Sequence, residues 1–234
     1  MRESKILYTT DKVEYEANER TLRIKKQVSR RRKYQAMIFT LCFFKYLLIS
    51  IIQGGVTFYS PDFKDQQLYV EFNYFPIHLS FLFGFLILGN SVDNLSNPKI
   101  LMLICEVALG ITWILEGAIT QFYNYNFPKH SKPQDERLCM YWLANIASIM
   151  SAGIVITLIL QVYNWFSLRN LSRVLALLLI GEFIGYFIDT YMEDSVYVTN
   201  PFYFYAAGAA FIGASVFDYF YFAFEPANFG IVVD

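Results

Sequence analysis

Six long apolar runs constrain this chain more than any other feature of its sequence. They cover residues 34–54, 68–88, 100–120, 138–163, 171–191 and 202–224. An α-helix of about 20 apolar residues is long enough to cross the roughly 30 Å hydrocarbon core of a bilayer. Only a helix satisfies its own backbone hydrogen bonds one span at a time, and these runs are too long for the strands of a membrane barrel. The sequence therefore predicts an all-α membrane protein with six transmembrane helices.

Basic residues are concentrated before the first run. Of the 19 Lys and Arg residues, 11 lie in residues 1–33, although the net charge of the whole chain is −1. We predict a polar basic tail over residues 1–33, a six-helix membrane domain over 34–226 and a short tail over 227–234; residues 13–28 are expected to form a charged surface helix. On this map 14 basic residues fall on the side of the tail and 4 on the other. Both termini are therefore expected on the cytosolic or matrix side.

Some of these basic residues lie directly beside predicted spans. Each such residue attracts anionic headgroups by about 1 kcal/mol near a membrane surface. We expect contacts with anionic lipids, including a structural phospholipid such as cardiolipin; a plain orientation signal is the alternative. The candidates are Arg30, Arg31, Arg32, Lys33, Arg169 and Arg173.

Ionisable residues also fall inside the apolar runs. They are Lys45, Glu106, Glu116, Glu182, Asp189 and Asp218. Such residues mark ion or substrate routes, or they pair internally, reach toward a span end or contact a neighbouring subunit. We select Lys45, Glu116, Glu182 and Asp189 as candidates for intramembrane polar contacts. Glu182 and Asp189 are seven residues apart on one helix face and are predicted to form a polar seam against other protein.

Smaller features favour packing over chemistry. Cys42, Cys105 and Cys139 lack a pairing motif, and His78 has no metal ligand at suitable spacing, so all four are interpreted as core residues. Rows of small residues are expected at helix contacts: Ala144, Ser148 and Ala152; Gly181 and Gly185; Ala206, Ala210 and Ala214. Because no phosphate-binding glycine loop, nucleophile elbow or nucleic-acid module is present, we expect neither an enzyme, nor a cofactor or metal site, nor a nucleic-acid partner.

A polar turn, GNSVDNLSNPK, separates the second and third runs. It resembles the G-x-x-x-D-R-x-G-R-R/K signature between helices two and three of major facilitator transporters. Gly89 and Asp93 match the signature, and Asn94 stands where it has Arg. Leu95 resembles an extra residue inserted into the signature. The ending resembles the D-R-S-N-P-R of the organophosphate and sugar-phosphate branch through Ser96, Asn97, Pro98 and Lys99. A later stretch, Asn164, Trp165, Phe166, Ser167 and Arg169, is similar to the N-W-F-S-x-R-x-R-G of that branch.

The resemblance implies the N-terminal six-helix half of such a transporter, in degenerate form. Members of the family hold substrate between two six-helix halves. In the phosphate-ester branch a basic residue near the end of helix one meets the substrate phosphate, and Gln53 and Gly54 stand at that position here. Lys45 replaces it only if its side chain faces the bundle centre.

Two functions remain open on this resemblance. The first is a non-transporting accessory structural subunit of a larger membrane complex. The many Tyr, Phe and Asn residues suggest a protist with an AT-rich genome, and a respiratory-chain complex of the mitochondrial inner membrane is the expected host. The alternative is a half-transporter that forms a homodimer or heterodimer and carries an organic phosphate or another small solute. Its midplane cavity would be lined by Lys45, Gln53 or Glu116.

Overall fold

The computed structural model describes residues 2–57, 67–95, 97–126, 134–192, 201–227 and 230. Their regular structure consists of six α-helices: α1 (Arg2–Thr57), α2 (Gln67–Asn94), α3 (Pro98–Asn126), α4 (Gln134–Trp165), α5 (Leu168–Met192) and α6 (Pro201–Tyr221). Each helix contains all or most of one predicted apolar run. The all-α class is confirmed.

Three of these helices are long and apolar enough to cross a membrane. The spans are Asn18–Ile51 in α1, Pro98–Tyr123 in α3 and Cys139–Trp165 in α4. The described part of α2 contributes a shorter apolar stretch, His78–Val92. The chain therefore has the composition of an integral membrane protein. Membrane crossing by α2, α5 and α6 stays a prediction.

Helix α1 joins the predicted basic tail to the first apolar run without a break. Residues 18–30 are exposed, whereas Tyr34, Ile38 and Cys42, one turn apart, are buried. Glu19 and Arg23 form an exposed ion pair of 2.7 Å along the outer part of the helix, a type of contact that adds little stability. The helix thus changes from exposed to packed close to the predicted boundary between residues 33 and 34.

Two tight turns connect helices at one end of the bundle. Helix α2 ends at Asn94 and α3 begins at Pro98; the Asn97 side-chain oxygen accepts a hydrogen bond from the Lys99 backbone N–H at 3.1 Å. Pro98 suits the first helical position because no N–H is needed there. Helix α4 ends at Trp165 and α5 begins only three residues later. We call this end of the bundle, which also holds the end of α6, the short-turn end.

Glycines mark a close contact between α3 and α6. A Cβ added to Gly208 of α6 would lie 2.6 Å from the Gly110 carbonyl oxygen of α3, and a Cβ added to Gly110 would lie 2.8 Å from the Gly208 carbonyl oxygen. The two backbones therefore touch, which only residues without a side chain allow.

The packing repeats between the first three helices and the last three. Gly185 of α5 lies against Ser50 of α1, and Gly84 of α2 lies against Ala152 of α4. Exchanging helices one to three with helices four to six turns the α1–α5 pair into the α4–α2 pair and leaves the α3–α6 pair in place. Helix α3 also packs on α4, but the pair that the exchange would make from it, α6 on α1, is not among the main contacts. Three of the four main helix pairs thus follow the pattern of an internal two-fold repeat.

Two of the three predicted rows of small residues lie at helix contacts. The row on α4 is buried, and the row on α5 contacts α1. The third prediction is wrong, because Ala206 and Ala210 are exposed and Ala214 is only half-buried. Gly208, which touches α3, lies two residues beyond Ala206, and two residues rotate about 200° around a helix. The alanine row therefore lies on the outer face of α6.

Two predicted core residues are also on the outside. Cys42 and Cys105 are buried as expected, but Cys139 is exposed. His78 is exposed as well, since it shares an outer face of α2 with Leu82, one turn later. Apolar surroundings in the sequence did not distinguish a face packed on protein from a face turned outward.

Candidate functional site

Lys45 of α1 lies inside the bundle. Only 5% of the residue is exposed, and it follows Ile38 and Cys42 on the buried face of the helix. A lysine at this position carries a charge into an apolar interior, where it needs a partner of opposite charge.

Two carboxylates supply that partner. The Lys45 Nζ lies 2.5 Å from Glu106 Oε1 of α3 and also donates to Asp218 Oδ2 of α6. Both carboxylates are buried. We call Lys45, Glu106 and Asp218 the interior charge cluster. It connects three helices that are far apart in sequence.

The unused hydrogen-bonding capacity of the cluster belongs to its carboxylates. Two carboxylates against one ammonium give an excess of one negative charge when all three groups are ionised. Glu106 Oε2 and Asp218 Oδ1 have no hydrogen-bond partner among the described residues. On the lysine side, the Phe222 ring centroid lies 5.6 Å from Nζ. The cluster therefore has hydrogen-bond acceptors without a described partner, whereas the Lys45 ammonium already donates to both carboxylates.

Depth within the bundle explains this pairing. Glu106 lies about 9 Å along α3 from residue 100, and Asp218 lies about 4.5 Å along α6 from its last residue, Tyr221, at a rise of 1.5 Å per residue. Lys45 starts about 16 Å below residue 34. Helical side chains point toward the N-terminus of their own helix, so the long lysine side chain of α1 reaches back toward the short-turn end. Its ammonium thus reaches the level of the two carboxylates.

The sequence identified all three members of the cluster as intramembrane ionisable residues, but only Lys45 was selected as a candidate contact. Glu106 and Asp218 were the missed partners. Counting helix rise from a common end would have indicated them, because both lie six residues from the end of their predicted runs.

The other selected intramembrane residues do not join the cluster. Glu116 of α3 is fully buried, and neither of its carboxylate oxygens has a hydrogen-bond partner in the described part of the chain. Glu182 of α5 is half-buried. The side chain of Asp189 lies outside the described residues, so the polar seam of Glu182 and Asp189 stays a prediction.

The residues that resemble the transporter turn lie at the junction of α2 and α3, outside the interior charge cluster. Gly89 is half-buried in α2, and an added Cβ would meet only Ile156 at 3.9 Å. The Asp93 side chain and Ser96 lie outside what the structure describes. Asn97 and Pro98 begin α3, as described above. Lys99 reaches away from the turn: its Nζ donates to the carbonyl oxygens of Tyr219, at 3.0 Å, and Phe222, at 2.5 Å.

Two aromatic residues hold the same end of α6. The Tyr34 hydroxyl donates to the Tyr221 carbonyl and accepts from the Ala223 N–H, both at 2.7 Å. Trp165 Nε1 donates to the Ala223 carbonyl at 3.1 Å, and its ring centroid lies 4.5 Å from that of Tyr34. We call Tyr34, Lys99 and Trp165 the α6 clasp. It satisfies carbonyl groups that a helix end otherwise leaves unpaired.

The six predicted lipid-contact residues separate into two groups. Arg31 and Arg173 line a cavity of about 500 Å³ at the short-turn end. Its polar lining is completed by Gln35, Ser167 and Asn170, and we call it the basic cavity. Arg30, Arg32, Lys33 and Arg169 are exposed outside it.

Within the described part of the chain, no set of three or more His, Cys, Asp or Glu side chains comes together to hold a metal ion.

Comparison with known proteins finds no matching family model, curated protein or solved structure. The likeness to a half transporter therefore rests on the residues of the two turns.

Proposed function

We propose that this chain is a non-transporting membrane protein of the half major-facilitator type, which serves as an accessory structural subunit of a larger membrane complex. The specific host that we propose is a respiratory-chain complex of a protist mitochondrial inner membrane. The observation that carries the proposal is the interior charge cluster. The repeated helix pairing supports the half-transporter fold.

The cluster is unsuited to an anionic substrate. A phosphate ester is held by charge-assisted hydrogen bonds from a cation with free N–H groups. Lys45 gives its hydrogen bonds to Glu106 and Asp218, and both carboxylates keep a buried oxygen with no partner in the described residues. A phosphate reaching this level would face those oxygens. The cluster therefore fits cohesion of α1, α3 and α6 better than substrate binding.

The outer part of α1 supports a role in assembly. Leu22 and Ile24 are 66% and 59% exposed on a helix segment that is otherwise mostly polar. Val28, one turn after Ile24, is also exposed. Ile24 and Val28 lie on one side of the helix, whereas Leu22 lies about 200° from Ile24. Exposed apolar side chains on this segment offer contacts to a neighbouring subunit.

Glu116 supports a second candidate function, a carrier assembled from two six-helix chains. A buried carboxylate without a protein partner is the type of residue that binds a coupling ion or proton in transporters. In such a carrier Glu116 would face a hydrated route between the two chains.

Reconstitution distinguishes the two candidates. The purified chain is inserted into liposomes, and uptake of radiolabelled glycerol 3-phosphate and inorganic phosphate is compared with protein-free liposomes. We expect no saturable uptake. In parallel, the native protein is extracted in mild detergent and sized; we expect a complex far larger than two chains of 27.3 kDa. Saturable uptake that is lost in Glu116→Gln, with migration as a pair of six-helix chains, would refute the accessory role.

A further inference from the structure

The basic cavity is formed where three parts of the chain meet. Arg31 and Gln35 come from α1, Ser167 from the turn before α5, and Asn170 and Arg173 from the first turns of α5. The Gln35 Nε2 donates to the Trp165 carbonyl at 2.5 Å, which fixes the α1 wall against the end of α4. The cavity is therefore a built feature of the short-turn end.

The charges that line this cavity are all positive. Arg31 is half-buried and Arg173 is exposed, and neither guanidinium has an ion-pair partner among the described residues. Ser167 and Asn170 add neutral hydrogen-bond donors. Two guanidinium groups on separate helices and the neutral donors of the same lining match the several oxygens of a phosphate group.

An apolar path leads away from the cavity. Phe166 and Val174 form its apolar wall. Leu177 and Ile180 follow Arg173 on the same face of α5, four and seven residues later, and are 46% and 50% exposed. Because α5 runs away from the short-turn end, this face extends from the arginine toward the interior of the membrane. A ligand with a phosphate and an acyl chain matches the basic cavity with the first and the apolar face of α5 with the second.

We propose that the basic cavity binds a phosphate-bearing anion, with the headgroup of an anionic phospholipid as its source. The two arginines hold the phosphate, and the exposed face at Leu177 and Ile180 contacts the first acyl chain. A soluble phosphate ester shares the headgroup chemistry but gains nothing from the apolar face. This site is independent of the accessory role proposed above.

A lipid titration tests the site. The full chain is purified in an uncharged detergent, and its thermal midpoint is followed as dioctanoyl phosphatidylglycerol is added. We expect a saturable rise, a smaller rise with dioctanoyl phosphatidylcholine, and none with glycerol 3-phosphate at the same concentrations. Arg31→Gln/Arg173→Gln should raise the half-saturating lipid concentration by about tenfold or more, because two charge-assisted contacts are lost.

The matched control removes two arginines outside the cavity. Arg30→Gln/Arg32→Gln has the same change in net charge and should shift half-saturation by less than about threefold. Equal losses in the two double variants would overturn the site, since only general attraction would remain. A glycerol 3-phosphate response equal to that of the lipid would retain the anion site and overturn its lipid source. Arg173→Lys keeps the charge and changes one exposed residue. If the double variant fails to fold, the half-saturating lipid concentration is measured with Arg173→Lys instead, and it should rise because lysine lacks the two-pronged hydrogen bonding of a guanidinium.

Discussion

The interior charge cluster and the basic cavity lie in the same bundle and place charge in opposite circumstances. In the cluster, Lys45 is buried and bonded to two carboxylates. In the cavity, Arg31 and Arg173 line one space with no carboxylate in the lining. A buried cation must be paired by the protein itself, because the cost of an unpaired charge in an apolar interior is several kcal/mol. A cation at the surface is solvated by water, so it needs no partner from the protein and remains available to a ligand.

The interior charge cluster and the basic cavity are therefore expected to have different roles. Intramembrane charge indicates either a substrate route or internal pairing, and Lys45, deep within the first predicted run, is engaged by Glu106 and Asp218. Arg31 and Arg173, which have no ion-pair partner among the described residues, lie at the short-turn end. Stability should therefore depend on the cluster, and ligand binding on the cavity.

Removing the cation of the cluster should have the largest effect. Lys45→Met leaves two buried carboxylates without their partner, which typically costs about 3–5 kcal/mol. Thermal unfolding in detergent, followed by circular dichroism, measures the loss. Lys33→Met, an exposed residue on the same helix, is the matched control and should change little. Similar midpoints for the two variants would show that the cluster contributes no stability.

Separating α3 from α6 should disturb the cluster through the backbone. Gly208→Ala places a Cβ 2.6 Å from the Gly110 carbonyl oxygen, so α6 must move and carry Asp218 with it. Overpacking of this kind costs about 1–3 kcal/mol. Thermal unfolding again gives the measurement.

Gly213→Ala is the control for that experiment. Gly213 is in the same helix, and an added Cβ would meet nothing within 4 Å. Replacing a helical glycine by alanine in open space should stabilise by about 0.5–1 kcal/mol. Equal effects at the two glycines would argue against the close α3–α6 contact.

Loss of the α6 clasp should have a smaller effect than loss of the cluster. Lys99→Met removes the hydrogen bonds to the carbonyl groups of Tyr219, in α6, and Phe222, directly after it. Such contacts at a helix end contribute about 1 kcal/mol in total. Amide hydrogen exchange should increase at the end of α6, near Tyr221, and remain unchanged in the middle of α4. Unaltered exchange at Tyr221 would contradict the clasp.

The basic cavity should contribute least to stability and most to salt sensitivity. Without added lipid, Arg31→Gln/Arg173→Gln should change the free energy of unfolding by less than about 0.5 kcal/mol. Raising the salt from 0.05 to 0.5 M, on the order of the range over which exposed charges become screened, should weaken lipid binding and leave the Lys45→Met defect intact. A salt-dependent defect at Lys45 would place that residue in contact with solvent.

Much of the fold follows from the sequence because long apolar runs and tight turns are local signals. The six helices lie where the runs predict them. The start of α3 has a local cause, because Asn97 caps the helix and Pro98, the first helical residue, needs no N–H. The helix faces were harder to predict. On α6 both faces carry small apolar residues, so the row at Ala206 and Ala210 gave the wrong face, while Gly208 makes the contact.

The sites depend on pairing between distant helices, which a single sequence does not encode directly. Lys45 and Asp218 are 173 residues apart, and their contact requires the order and tilt of the helices. Arg31 and Arg173 were recognised as interfacial basic residues, but that they line one cavity depends on how α1 packs beside α5. Residue type thus predicted the candidates, and tertiary packing selected among them.

The most direct test of a structural role for the interior charge cluster is the thermal midpoint of the triple variant Lys45→Met/Glu106→Met/Asp218→Leu. Replacing a complete buried charge network by apolar residues of similar size is often neutral or stabilising, whereas removing one member is costly. We predict that the triple variant recovers most of the stability lost in Lys45→Met. A triple variant that unfolds as early as Lys45→Met, or earlier, would contradict internal pairing as the role of these three residues.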